Sequence, residues 1–137
     1  MMHYLNYIDG EWCDSEQALT VMNPGTAEAY ATIAEATITD ADRAMAAARR
    51  VVKQGLLSDV RPAVRTEWML KAAAAIREMV DEGGLVACRE NGKSLQDAKD
   101  EFLESARYFE YYAGMADKLE GTSIPLGKDY VDFTQYV

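Results

Sequence analysis

Two periods of hydrophobic spacing divide the chain, short alternating stretches at the start and longer helical repeats after Thr39. From Tyr7 to Trp12 β-forming residues flank Asp9-Gly10, a pair that favours a tight turn because glycine accepts positive φ, and a small hairpin is predicted. Leu19-Thr20-Val21-Met22 then runs into Asn23-Pro24-Gly25-Thr26, where proline presets one turn angle and glycine accepts the next. A strand, a turn and a second strand from Ala29 to Ala36 are expected.

At Thr39 the period changes. Thr39-Asp40-Ala41-Asp42 offers a capping hydroxyl and two first-turn carboxylates, and Ala44, Ala47, Ala48 and Val51 follow at helical spacing until Gly55. Arg49, Arg50 and Lys53, near the far end, read as dipole compensation and solvation. A second helix is predicted after Pro62, with Trp68 or Met69, Ala72, Ala73, Ile76 and Val80 inward, breaking at Gly83-Gly84. Short helical segments around Leu85 to Glu90 and a loop at Asn91-Gly92 come next. The longest run, Leu95 to Leu119, places Phe102, Ala106, Phe109, Ala113 and Ala116 on one stripe, with Gly121 as its end. After a turn at Pro125 and Gly127, Asp129 to Val137 alternates as a terminal strand with no partner in the chain except the distant hairpins. An extended edge of that kind is expected to pair with another segment or subunit.

Composition narrows the classes. The 137 residues are 49% hydrophobic and 27% charged with three prolines, which is the balance of a globular chain. A formal charge of −9, from 23 acidic and 14 basic residues, repels phosphate backbones and anionic headgroups, so neither nucleic acid nor membrane is an expected partner. No apolar run is long enough to span a bilayer, and Met-Met-His-Tyr-Leu-Asn lacks the pattern of a signal peptide, which makes the cytoplasm the default compartment. Cys13 and Cys88 have no CxxC spacing and His3 is the single histidine, too few ligands for zinc. Both cysteines read as inert reduced thiols.

Motifs for chemistry are sparse. No glycine-rich dinucleotide or P-loop run is present, and Asn91-Gly92-Lys93-Ser94 lacks the upstream glycine and strand of a phosphate cradle. A histidine three residues from the terminus leaves triad chemistry unsupported. Asp81 with Glu82, and Asp100 with Glu101 and Glu104, read as water-facing helix carboxylates, and Tyr108, Tyr111 and Tyr112 as amphipathic packing at a domain interface.

Taken in series, Tyr7-Ile8-Asp9-Gly10-Glu11-Trp12, Val21-Met22-Asn23-Pro24-Gly25-Thr26, the helix opened by Thr39-Asp40-Ala41-Asp42, and Arg65 opening the next helix are similar to the start of the aldehyde dehydrogenase superfamily. Glu90-Asn91-Gly92-Lys93-Ser94, Tyr111-Tyr112-Ala113-Gly114-Met115-Ala116-Asp117-Lys118 and Gly121-Thr122-Ser123-Ile124-Pro125 continue the order, which covers Tyr4 to Val137. The resemblance implies an α/β fold, of which this segment is the mainly helical start with N-terminal β-hairpins and a C-terminal strand. Residues 1–127 would belong to the dinucleotide-binding domain and 128–137 would begin the oligomerisation-domain strand.

The activity implied is oxidation of an aldehyde, with water, to a carboxylic acid by NAD or NADP. In such enzymes a cysteine thiolate attacks the carbonyl, amides hold the oxyanion and a glutamate activates water. Cys13 and Cys88 match neither the place nor the surroundings of that nucleophile. The chain is therefore expected to be a scaffold segment, inactive by itself and without a cofactor of its own, whose partners are the remainder of the enzyme or a second subunit of a homo-oligomer. By position, the backbone carbonyls of Val21 and Met22 with the carboxylate of Glu90 resemble a monovalent-cation site, since oxygen ligands suit a hard ion. Leu103 and Arg107 fall on the helix that lines the substrate entrance in relatives. The alternative from another class is a free-standing, non-catalytic assembly protein that pairs through its terminal strand.

Overall fold

The computed structural model describes residues 1–135. Five strands come first, β1 (Met2–Tyr4), β2 (Asn6–Ile8), β3 (Glu11–Cys13), β4 (Ala18–Asn23) and β5 (Glu28–Ala34). Four helices follow, α1 (Ile38–Lys53), α2 (Pro62–Glu78), α3 (Val80–Asn91) and α4 (Leu95–Ala113), and then a pair of two-residue strands, β6 (Ser123–Ile124) and β7 (Asp132–Phe133). The mainly helical segment with N-terminal strands is as expected.

Asp9 and Gly10 both take positive φ, 56° and 87°, the pair of values a two-residue hairpin turn requires, so β2 and β3 close antiparallel with Tyr7 opposite Trp12. In the second sheet β5 is central, antiparallel to β4 and parallel to β1. Three residues are too few to display an alternation, which is why β1 had no signature in the pattern.

Helix α1 starts two residues earlier than expected. Thr37, not Thr39, is the cap: its Oγ1 accepts the Asp40 N–H at 3.2 Å, while Asp40 Oδ2 accepts the Thr37 N–H at 3.0 Å. Thr37-x-x-Asp40 and Thr39-x-x-Asp42 satisfy the same capping-box spacing, and only the position where β5 ends selects between them. Arg50 is more than a solvated charge, because its guanidinium forms a two-pronged pair with the Asp9 carboxylate at the hairpin tip.

In the helical part, α4 lies against both α2 and α3. Ala73, Ala98, Ala106 and Ala113 are at most 1% exposed, so the helices meet through small side chains that let their backbones approach closely. Met69 is half-buried and Trp68 exposed, which settles the phase of α2. Gly83-Gly84 do not break a helix. The chain turns at Met79, and both glycines lie inside α3, where the Phe102 ring and the Lys99 stem occupy the space of their missing side chains. The segments expected around Leu85 to Glu90 are thus one continuous helix.

Helix α4 stops at Ala113 rather than running to Leu119. Gly114 caps it, and Met115 and Ala116 donate to carbonyls three residues back, tightening the chain out of the helix. The terminal strand is also shorter than expected and has a partner. β7 pairs antiparallel with β6, and Thr134 N–H donates to the Thr122 carbonyl at 2.9 Å. Its remaining stretch at Tyr136 and Val137 lies outside the described residues.

The core is thin. Ile8 is the single buried hydrophobic residue larger than alanine among the described residues. The chain exposes 10673 Å², where a compact monomer of its 15.2 kDa mass would expose about 7,100 Å².

Candidate functional site

Two places gather the residues singled out from the sequence. The first is the junction of β4 with α3. Opposite the Val21–Met22 step the sheet register shifts, with Val21 against Ala31 and Met22 against Ala29, so Tyr30 is the extra residue of a bulge. The Asn23–Thr26 turn then abuts the end of α3: a side chain on Gly92 would come within 3.0 Å of Pro24 Cγ, and Gly92 takes φ 77° as the left-handed cap. Glu90, in the last turn of α3, is exposed, while Tyr30 is half-buried. Burial, and then the nearby Glu90 carboxylate, push the Tyr30 hydroxyl above its ordinary pKa, and Arg89 opposes them.

Val21, Met22 and Glu90 are therefore on elements that meet, and Tyr30 joins them from a position the alternating pattern could not flag. A carboxylate at a helix C-terminus faces partial negative charge from the last carbonyls, an arrangement that a cation would relieve. Among the described residues no group of three His, Cys, Asp or Glu side chains could hold a metal ion, so backbone carbonyls would have to supply most of the ligands there.

The second place is the outer face of α4. Arg107 is exposed and pairs with Glu104 one turn back, while Leu103 is half-buried. Glu104, Arg107, Tyr108, Tyr111 and Tyr112 line an open hollow of about 300 Å³, and Leu103 is not in its lining. Tyr111 and Tyr112 meet edge to face, ring centroids 5.2 Å apart. Glu104 had a signal in the sequence, its helical spacing to Arg107, but its carboxylate read as merely solvated.

The other sequence candidates resolve into structure. Asn91-Gly92-Lys93-Ser94 is a helix-to-helix connection: Gly92 caps α3, Ser94 Oγ accepts the Asp97 N–H at 3.1 Å, and Lys93 pairs with Glu101. Thr37 and Ser94 each accept one backbone N–H at the N-termini of α1 and α4, and neither helix is preceded by the glycine-rich loop with which a dinucleotide's phosphates are cradled.

His3 lies between Thr32, with Nδ1 2.8 Å from Oγ1, and Asp14, with Nε2 3.0 Å from Oδ1. The chain of hydroxyl, imidazole and carboxylate is triad-like in order. Thr32, however, sits inside β5 with strands on both sides, where its backbone serves the sheet and not an oxyanion. The contact pins β1 in register, His3 being the cross-strand neighbour of Thr32. Arg43 reaches Cys13 Sγ at 3.8 Å, and both cysteines are free thiols. No helix among the described residues is long and apolar enough to cross a membrane.

The arrangement of hairpins, an open sheet and helices packed through alanines recurs in known proteins. The model of the aldehyde dehydrogenase family matches residues 12–137. Betaine aldehyde dehydrogenase of Bacillus subtilis is 38% identical over 120 residues, covering 86% of this chain and 24% of that protein. Among solved structures, an aldehyde dehydrogenase of Bacillus cereus in its NAD+ complex superposes with a TM-score of 0.88 at 30% identity, over 97% of this chain and 28% of that one. Betaine aldehyde dehydrogenase of Staphylococcus aureus, also solved with NAD+, gives 0.83 at 31% identity over 91% of this chain and 26% of that one. The chain belongs to the aldehyde dehydrogenase family. It spans about a quarter of the length of the relatives it matches.

Proposed function

We propose that this chain is the N-terminal scaffold of an NAD(P)-dependent aldehyde dehydrogenase, inactive alone, whose nucleophile, water-activating base and dinucleotide site are supplied by sequence beyond it. The carrying observation is the exposed area. The excess of roughly 3,500 Å² over a compact monomer exceeds what a standard protein interface buries, and it includes exposed Leu56, Leu57, Leu70, Phe109 and Phe133. A surface of that size suits a segment covered by the rest of its own enzyme.

On this reading residues 1–127 pack against the dinucleotide-binding sheet and 128–137 enter the oligomerisation domain of a homo-oligomer. When bound, NAD or NADP would supply hydride acceptance, while this chain's residues hold the surrounding frame. Val21, Met22 and Glu90 hold a monovalent cation at the β4–α3 junction, and the face of α4 bearing Leu103 and Arg107 borders the substrate entrance. The free thiols of Cys13 and Cys88 suit the reducing cytoplasm.

The test is direct. The purified chain, given NAD+ or NADP+ and a panel of aldehydes, should form no NAD(P)H above the buffer rate, whereas a polypeptide that continues past residue 137 should. Turnover by the 137-residue chain would overturn the proposal.

A further inference from the structure

We propose that α1 is a docking face for a second copy of this chain, which lays its own α1 against it antiparallel. The inference goes beyond the scaffold reading and rests on α1 alone. Ile38, Ala41, Met45, Ala48 and Val52 recur at alternating steps of three and four, the spacing with which one helix buries a seam against another. The seam is bare within the chain: Ile38, Met45 and Val52 are 84%, 56% and 78% exposed, and both alanines are exposed as well. The side of α1 turned toward its own chain is a different one, carrying half-buried Ala47 and Val51.

Volume and charge both point to a second α1 as the occupant. In an antiparallel pair whose layers set Met45 of one copy against Ala48 of the other, Val52 falls against Ala41, and Ile38 against Gly55 just past the helix end. Each large side chain then meets a small one, and the twofold axis repeats every layer, which is the self-complementarity that an isologous interface requires. Asp42 and Arg49 are exposed on one flank of the seam, seven positions apart. The same register brings Asp42 of each copy beside Arg49 of the other, twice by symmetry. A parallel pair would face them instead with Thr37, Ala44 and Val51 of the opposite flank, and both charges would go unanswered. Arg43 and Arg50 are already tied to Asp40 and Asp9 within the chain, which leaves Asp42 and Arg49 to act between copies. The antiparallel arrangement also sets the N-terminus of each helix beside the C-terminus of the other, so the helix dipoles attract.

Sedimentation velocity on the 137-residue chain from roughly 1 μM to 1 mM tests this, with circular dichroism to show that each substitution at these exposed positions keeps the helix content. A monomer–dimer equilibrium is expected. Met45→Glu should weaken it about a hundredfold by placing a carboxylate in two layers of the seam. Asp42→Arg and Arg49→Asp should each weaken it about tenfold, since either one sets like charges together twice, and the double variant should return to the dissociation constant of the unaltered chain. A monomer throughout, association that Met45→Glu leaves unchanged, or a double variant no tighter than the two single ones overturns the inference. Association unmoved by all of these variants removes α1 as the docking face while leaving the covered-face reading in place, and the scaffold reading is decided separately by aldehyde turnover.

Discussion

The tip of the Phe102 ring rests on the backbone of Gly83 so closely that even a methyl group on Gly83 would overlap it. This contact sets the spacing of α3 and α4. Gly83→Ala should gain up to about 1 kcal/mol in helix propensity and lose about 1–3 kcal/mol to overpacking. A net destabilisation is expected in denaturant titration, and adding Phe102→Leu should recover part of it. Additive losses would show that the two residues do not share the constraint.

Thr37 and Thr39 distinguish two starts for α1. Thr37→Ala removes the side-chain acceptor and half of a capping box and should cost about 1 kcal/mol, whereas Thr39→Ala should be close to neutral. Thermal midpoints of the two variants check this, and the reverse order would place the cap at Thr39.

Arg50 reaches across 41 positions of sequence to Asp9, and α1 has no buried residue of its own. The helix is held in position by this exposed pair, by Arg43 against Cys13 Sγ, and by its proximity to β2. Arg50→Ala should accelerate hydrogen exchange of the α1 amides while leaving α4 unchanged. Equal acceleration in both helices would mean that the pair supports the whole chain and not α1 alone.

Acid should weaken the molecule through its aspartates. Asp9 beside Arg50, Asp14 beside His3, Asp40 beside Thr37 and Asp81 beside Lys99 are all held below the usual 3.8 by those hydrogen bonds. A carboxylate with a depressed folded-state pKa adds stability that is present above its unfolded value and is lost as pH falls through the folded one. Stability should thus decline below about pH 4, and Asp14→Asn and Asp81→Asn should each flatten that decline in pH-dependent denaturation. An unchanged slope would contradict the assignment.

The exposed apolar surface predicts self-association of the isolated chain. Elution in size exclusion should shift to larger size as concentration rises. A concentration-independent monomer would count against the covered-face reading.

Much of this was legible in the residues. Asp9-Gly10, Pro62 and Gly92 act through their own φ and ψ preferences, local properties that survive without a tertiary context, whereas at the expected Asn23-Pro24-Gly25-Thr26 turn the positive φ, 57°, falls on Ala27 and not on Gly25. The alanine stripe of α4 likewise announced its buried face, because Ala106 and Ala113 recur at the period of the helix itself. Family membership followed from the order of such segments, each weak alone.

Other features depended on partners remote in sequence. Gly83-Gly84 reads as a helix breaker until Phe102, nineteen positions on, fills the space above it. The end of the long helix at Ala113, where Thr66 of α2 donates to its carbonyl at 2.9 Å, was invisible to periodicity for the same reason. At the candidate sites, position alone named Val21, Met22, Glu90, Leu103 and Arg107, whereas the bulge at Tyr30 and the Glu104–tyrosine hollow required the packed elements.

What the sequence by itself determined was the set of turns, caps and amphipathic faces, since these follow from backbone preferences and spacing within a few residues. Only the tertiary structure decided which glycines tolerate a helix, where α4 stops and which strand β7 joins. Those outcomes are settled by the volume and hydrogen bonds of side chains that the fold brings together from distant parts of the chain.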